Sequence, residues 1–171
     1  MMGSEWNVLA TGPSMSQHLA DSLKGTNAIV VSDAFRLAPW AYALVSQDWA
    51  WWLENEDAFN FQGMQISAAK PMNSLDEPKL CRISKMEGLN SSMNSGLLGC
   101  EVAKWFGAIK INLYGFDMRG SHYFGPHKSL KNTPPHRFET FKLQFEQWDH
   151  AGIEVINMTP DSALTCFPRG V

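Results

Sequence analysis

The feature that most constrains the fold of this chain is the alternation of short apolar runs with segments long enough to form amphipathic helices. Residues 28–32 (AIVVS) and 109–114 (IKINLY) are short, largely apolar runs, which are typical of buried strands. Residues 95–106 and 136–151 carry apolar side chains at helical spacing, which is typical of helices with one buried face. Strands that alternate with helices indicate βαβ units and therefore a parallel sheet.

The length of the chain predicts one domain. A chain of 171 residues has ordinary domain size, and it shows neither an internal repeat nor a low-complexity tract. We therefore predict an α/β, Rossmann-like three-layer domain over residues 1–171, with a mostly parallel central sheet and helices on both faces. One segment, 118–135, has no periodicity and exceeds the usual length of a connection, which indicates a lid or a binding loop.

The apolar runs and the glycine, proline and polar residues that flank them predict the individual elements. The predicted strands are 6–11, 28–32, 41–46, 64–67, 80–83, 109–114 and 153–157. The predicted helices are 14–23, a short turn at 35–39, a Trp-rich helix that Asp48 is expected to cap, 95–106 and 136–151. Residues 71–78 and 84–94 are predicted to be loops.

Charge and cysteine content exclude several classes of protein. The net charge is -3 at pH 7, whereas a dedicated nucleic-acid binder carries a basic patch, so no nucleic-acid partner is expected. No apolar stretch approaches the ~20 residues of a membrane span, and the N-terminus lacks the pattern of a signal peptide. The widely spaced cysteines form no CxxC pair, which favours a reducing cytoplasm. The Trp-rich segment 40–52 is compatible with either core packing or the interface of a homo-oligomer.

Two glycine-containing turns are candidate phosphate sites. Thr11-Gly12-Pro13-Ser14 follows the first strand, where Ser14 could cap the next helix, and Asn94-Ser95-Gly96 opens a later helix. A glycine lets the backbone approach a phosphate, and a helix N-terminus offers unpaired N–H groups and a positive dipole end. Each sequence is also compatible with a plain tight turn and a capped helix start. Two such turns at one edge of a sheet favour a single nucleotide that bridges both.

Acidic residues follow two of the predicted strands. Asp33 comes after the second strand, and Asp117 comes after the strand at 109–114. An acidic side chain at the carboxyl end of a parallel strand can accept hydrogen bonds from ribose hydroxyls. Turn formation or helix capping explains each residue equally well.

Basic residues in and after segment 118–135 are candidates for acid–base and phosphate chemistry. His136 opens a helix, where the positive helix end disfavours imidazolium, so that a neutral ring could act as a base. A capping or surface role is the alternative for the same residue. Arg119 and Lys128 could neutralise phosphate charge.

A metal site is the alternative use of the histidines. His122 and His127, together with His136 and Asp117, are ligand types that suit a transition metal. Their spacing fits no standard zinc pattern, and no metal site is predicted.

The order and spacing of these motifs resemble a known superfamily. Along the chain they are TGPS at 11–14, VSD at 31–33, NSG at 94–96, LYGFDM at 113–118, His136 at a helix start, and EVIN at 154–157 followed by Ser162. This order resembles the Rossmann-like bacterial sialyltransferases that use CMP-sialic acid, and the related 6-hydroxymethylpterin diphosphokinase-like proteins. The resemblance covers most of the chain, and its short members imply a phage or prophage origin and a bacterial cytoplasmic location.

The resemblance implies roles for individual residues. The implied nucleotide-binding residues are Thr11, Gly12, Pro13, Ser14, Asp33, Asn94, Ser95, Gly96, Gly115 and Asp117. Asp33 stands where those enzymes have an Asn. His136 matches their general base, and Tyr123 matches the lid tyrosines that help the phosphate leave. Arg119 is a second candidate for stabilising the leaving phosphate because of its charge. The segment 118–135 corresponds to the lid of those enzymes and is reduced relative to theirs.

Three functions are compatible with these features. The first is a transferase that uses a nucleotide-activated donor, such as a CMP-sugar, with a small-molecule nucleotide as its ligand and no tightly bound cofactor. The second is a diphosphokinase of small molecules, which would need ATP and Mg²⁺ because a metal bridges the phosphates in phosphoryl transfer. The third is a non-catalytic phage module that binds a nucleotide or a partner protein.

Overall fold

The computed structural model of the chain describes residues 4–68, 80–83, 86–89 and 94–171. The predicted loop at 71–78 lies outside the described residues, and so does most of the predicted loop at 84–94.

One parallel sheet forms the centre of the described structure. Its strands are β1 (Ser4–Leu9), β2 (Ala28–Val31), β3 (Ala43–Val45), β4 (Met64–Ser67), β5 (Leu80–Arg82), β6 (Ala108–Tyr114) and β7 (Glu154–Asn157). Their order across the sheet is β5-β4-β3-β2-β1-β6-β7, and every neighbouring pair is parallel. The predicted α/β Rossmann-like fold is therefore confirmed.

Helices connect most of the strands. The described α-helices are α1 (Gln17–Ser22), α2 (Trp49–Glu54), α3 (Ser95–Trp105) and α4 (Pro135–Glu146). Two short 3-10 helices, Ser32–Arg36 and Glu56–Asn60, follow β2 and α2. The helix predicted at 35–39 thus begins earlier, directly at the end of β2.

One predicted helix start is wrong, and one predicted capping bond is not observed. The sequence predicts a first helix from Ser14, but α1 begins at Gln17, because Ser16 is the capping residue and accepts a hydrogen bond from the Leu19 N–H at 3.2 Å. Asp48 does precede α2, yet its side chain makes no capping hydrogen bond there.

Alternate residues of the central strands pack into two separate cores, one on each face of the sheet. On β1, Val8 packs in one core with Leu98 of α3, whereas the adjacent Leu9 packs in the other core with Ala20 of α1 and Trp52 of α2. All of these side chains are fully buried. The sheet is therefore covered by helices on both faces, as predicted.

The sheet changes its direction of growth between β1 and β6. The chain adds β2 to β5 on one side of β1, and then returns through α3 to place β6 on the other side. Because parallel crossovers are right-handed, this reversal moves the later helices to the opposite face. In open α/β sheets, ligands bind beyond the carboxyl ends of the strands at such a switch point.

The packing of α3 predicts how much stability is lost when its buried Leu98 side chain is shortened. Leu98→Ala removes a fully buried side chain, and we expect it to lower the free energy of unfolding by about 2–5 kcal/mol. The matched control is Leu143→Ala on α4, where the side chain is 50% exposed and we expect a change within about 0.5 kcal/mol. Urea unfolding measures both variants, and equal losses would contradict the assignment of the core.

Candidate functional site

A cleft of about 660 Å³ lies beyond the carboxyl ends of the central strands. The ends of β1, β2 and β6 contribute its floor, and the first turn of α3 forms one wall. The segment 118–133, which we call the lid, and the start of α4 contribute the rest of the lining. The volume falls within the range of about 300–1,000 Å³ that is usual for small-molecule sites.

The turn after β1 is hydrogen-bonded to the turn after β6. The Gly12 N–H donates to the Gly115 carbonyl at 2.9 Å, and the Ser14 hydroxyl donates to the Asp117 carboxylate at 2.7 Å. A Cβ atom on Gly12 would overlap both the Asp117 carboxylate and the Gly115 carbonyl, so only glycine fits there. Asp117 is buried. The polar groups of Ser14 and Asp117 therefore join the two turns rather than line the cleft.

The first turn of α3 presents backbone donors to the cleft. Asn94 caps the helix by accepting the Leu97 N–H at 2.8 Å, and its amide donates to Gln144 of α4 at 2.7 Å. Ser95 and Gly96 line the cleft. Their N–H groups are at the first helical positions and have no acceptor within the helix. This end of α3 is therefore suited to an anion.

Asp33 lines the cleft at the end of β2, where protein groups already bind it. Its carboxylate accepts the Trp51 indole N–H at 2.7 Å and lies 3.4 Å from the Arg36 guanidinium. Its backbone carbonyl accepts the Tyr123 hydroxyl at 2.8 Å. Among the described residues, two of the four acceptor positions of the carboxylate are thus occupied, and two remain.

The lid is tied to the ends of β1 and β2 through Tyr123. The Tyr123 N–H donates to the Thr11 carbonyl at 2.8 Å, and the Tyr123 hydroxyl donates to Asp33 as described above. Burial, followed by the negative charge of Asp33, raises the pKa of Tyr123 to about 12. The phenol is therefore neutral at physiological pH and serves as a hydrogen-bond donor.

His122 is held by three neighbours, two in the lid and one in the turn after β1. Its Nδ1 lies 2.8 Å from the Thr11 hydroxyl, and its ring is stacked on Phe124 at a centroid distance of 4.8 Å. The His127 ring lies 4.5 Å away, centroid to centroid. Burial and the nearby His127 lower the pKa of His122, and Asp33 opposes this only in part. His122 is therefore neutral at pH 7.

Positive side chains of the lid and of α4 line the cleft. They are Arg119, Lys131 and Arg137, whereas Lys128 does not contribute to the lining. The Arg137 guanidinium also lies 5.6 Å from the centroid of the Phe141 ring, which faces the same cleft. The chain is acidic overall, yet this part of the surface can attract a phosphate.

Two non-glycine residues of the cleft have left-handed backbone conformations. Ser32, at the end of β2, has φ 47°, and Met118, after β6, has φ 54°. Such conformations are uncommon for residues other than glycine and are concentrated at functional sites. Both lie at carboxyl ends of strands beside the switch point.

The structure brings together most of the residues that the sequence singles out. The predicted site residues that line the cleft are Thr11, Gly12, Asp33, Asn94, Ser95, Gly96, Gly115 and Arg119. Pro13, Ser14, Asp117, Tyr123 and His136 do not line it. His136 is exposed on the first turn of α4, where the adjacent Arg137 lines the cleft instead. The individual roles of all these residues stay predictions.

Sequence reasoning missed two cationic residues of the cleft. Lys131 lies in an aperiodic segment, and Arg137 directly follows His136. The sequence signal that could have identified them as cleft residues is their position, in the lid for Lys131 and at a helix start for Arg137. In the part of the chain that the structure describes, no group of three or more His, Cys, Asp or Glu side chains is arranged to hold a metal ion.

The fold and this cleft define a Rossmann-like α/β domain with a ligand-sized site at the switch point of its sheet. No protein-family model matches the chain, and no curated protein matches it. Among solved structures, it is similar to the sialyltransferase CstII from Campylobacter jejuni, in complex with the substrate analogue cytidine-5'-monophosphate. The TM-score is 0.47 at 13% identity, over 96% of this chain and 84% of that chain. At these values the similarity says nothing about activity.

Within the described residues, no helix is both long and apolar enough to cross a membrane. The expected cytoplasmic location, phage-type origin and homo-oligomer stay predictions.

The lowered pKa of His122 predicts a pH-dependent stability. Because the unfolded chain binds this proton more readily than the folded chain, the contribution of His122 is present above the ordinary pKa of 6.5 and is lost as the pH falls below it. We therefore expect the melting temperature of the wild type to exceed that of His122→Gln by a margin that shrinks between about pH 7.5 and pH 5.5.

The control for this measurement is His18→Gln, because His18 is exposed on α1, away from the lid. This variant removes one imidazole without touching the contacts of His122 in the lid. A margin for His122→Gln that does not shrink over this pH range would contradict the described environment of His122.

Proposed function

We propose that this chain binds a nucleotide in the cleft and belongs to a transferase that uses a nucleotide-activated donor. The observation that carries this proposal is the start of α3 at the switch point, where the Ser95 and Gly96 N–H groups have no acceptor within the helix. This helix start lines a cleft that three cationic side chains also line. Proteins commonly bind phosphate with the N–H groups of a helix N-terminus together with Lys and Arg side chains.

The phosphate binds at the first turn of α3 under this proposal. A Cβ atom on Gly96 would come within 2.9 Å of the Phe116 ring and 3.3 Å of the Asn94 side-chain oxygen, so glycine keeps this turn compact. Arg119, Lys131 and Arg137 then neutralise the charge from the lid side.

Aromatic and acidic groups supply the remaining parts of a nucleotide site. Phe138 and Phe141 on α4 and Trp49 on α2 line the cleft and offer apolar faces to a nucleobase. The two free acceptor positions of the Asp33 carboxylate can receive ribose hydroxyls. These assignments keep the predicted ribose role of Asp33 and leave Asp117 to support the turn.

A transfer step needs a stabilised leaving phosphate and a base for the acceptor hydroxyl. Arg119 lines the cleft and is proposed to stabilise the leaving phosphate. Tyr123 could assist only after its hydroxyl leaves the Asp33 carbonyl. His136, the predicted base, would have to meet the acceptor at the outer edge of the cleft, since its side chain is exposed.

Thermal stabilisation by nucleotides tests this proposal. We expect CMP, or another single class of nucleotide, to raise the melting temperature without Mg²⁺, since about 100-fold excess over the Kd adds about 2.7 kcal/mol of stability. A shift that requires both ATP and Mg²⁺ would favour the diphosphokinase. No shift with any nucleotide or nucleotide sugar would contradict the proposed site.

A matched pair of lysine variants locates the bound nucleotide. Lys131→Ala removes a cleft cation, and a lost charged hydrogen bond of about 1.5–3 kcal/mol would weaken binding by about 10- to 100-fold. Lys128→Ala removes a lid cation outside the cleft lining, and we expect unchanged binding. Titration calorimetry measures both, and equal affinities would contradict a phosphate position beneath Lys131.

A further inference from the structure

The cleft contains a hydroxyl–imidazole pair that none of the assigned roles uses. The Thr11 hydroxyl and the His122 ring nitrogen Nδ1 are 2.8 Å apart, at the end of β1. Both residues line the cleft, so the pair lies where a ligand at the switch point would bind. His136 occupies an exposed position outside the lining.

The surroundings of His122 hold its ring in one orientation. Phe124 stacks on the ring with an interplanar angle of 2°, and His127 packs beside it. The backbone is fixed as well, because His122 and Gly125 form a β-bridge and the next residue, Tyr123, donates its N–H to the Thr11 carbonyl. A side chain fixed in this way is prepared to act without rearrangement.

The hydrogen bond to Thr11 uses only Nδ1, and within the described residues Nε2 has no hydrogen-bond partner. The proposal uses the tautomer in which Nδ1–H donates to the Thr11 hydroxyl oxygen, because Nε2 then carries a lone pair. A neutral imidazole with a free lone pair accepts a proton readily. The neutral form is the one that the burial of the ring favours.

We propose that His122 is the proton acceptor of the transfer reaction and that Thr11 is its positioning residue, which rests on the proposed function. The proton of the acceptor hydroxyl moves to Nε2 of His122 as the acceptor oxygen forms its bond to the donor carbon. The bond from that carbon to the phosphate oxygen breaks, and its electron pair leaves with the phosphate. Arg119 neutralises the negative charge that the phosphate gains.

The experiment compares nucleotide binding and turnover in the same set of variants. The probe is the sugar conjugate of the nucleotide that gives the largest thermal shift. Water serves as the acceptor, and chromatography measures the release of free nucleotide. We expect His122→Ala to lower kcat by about 10²- to 10⁴-fold, the usual contribution of a proton-transfer group, and to keep the thermal shift. Added imidazole is expected to restore part of the rate, which a merely structural role would not explain.

Thr11→Val keeps the shape of the Thr11 side chain and tests the positioning role. We expect a smaller loss of kcat and a displaced pH profile, because the hydrogen bond that holds Nδ1 of His122 is gone. In the wild type the rate should rise with pH, with a midpoint below 6.5, the ordinary pKa of histidine. The titratable groups that face His122 are His127 and Asp33, and the β1 side contributes only the uncharged Thr11.

His18→Ala on the exposed face of α1 is the control and should keep full turnover. A full rate in His122→Ala, or a loss that follows His136→Ala alone, would overturn this inference and leave the proposed nucleotide site intact. A wild type that binds nucleotide but turns over no conjugate would also overturn it. A wild type without any nucleotide shift would overturn the proposed function itself, so the two failures are distinguishable.

Discussion

The site depends on the pairing of β1 with β6, which brings two turns from distant parts of the chain into contact. Through this pairing the Gly12 N–H reaches the Gly115 carbonyl, and the Ser14 hydroxyl reaches the Asp117 carboxylate. The contact requires glycine at position 12, because any Cβ atom would meet Asp117. These contacts join the two turns, and the cleft lies between the strand ends and the first turn of α3.

The lid is anchored to the same end of the sheet. Tyr123 bonds to the carbonyls of Thr11 and Asp33, so that one lid residue joins the ends of β1 and β2. His122, directly before it, is thereby brought to the Thr11 hydroxyl. The rings of His122 and His127, which are in contact, therefore lie in the same cleft as the backbone groups at the start of α3.

The sequence predicts the sheet and the cleft better than it predicts the use of each side chain. Apolar runs and glycine-containing turns depend on local backbone geometry, so the strands and the positions of Gly12 and Gly96 follow from the sequence. The partner of Asp117 is Ser14, and only the tertiary pairing of two strands brings them together. His136 and Arg137 are adjacent in sequence, and the rotation of α4 about its axis decides which of them faces the cleft. No local pattern specifies that rotation.

An amide chemical-shift titration with the nucleotide that binds would locate its phosphate on the protein. We expect the largest changes on the N–H groups of Ser95 and Gly96, because the phosphate would accept hydrogen bonds from them. Changes centred instead on the second depression, lined by Pro39, Tyr42 and Met64 at the other end of the sheet, would contradict it.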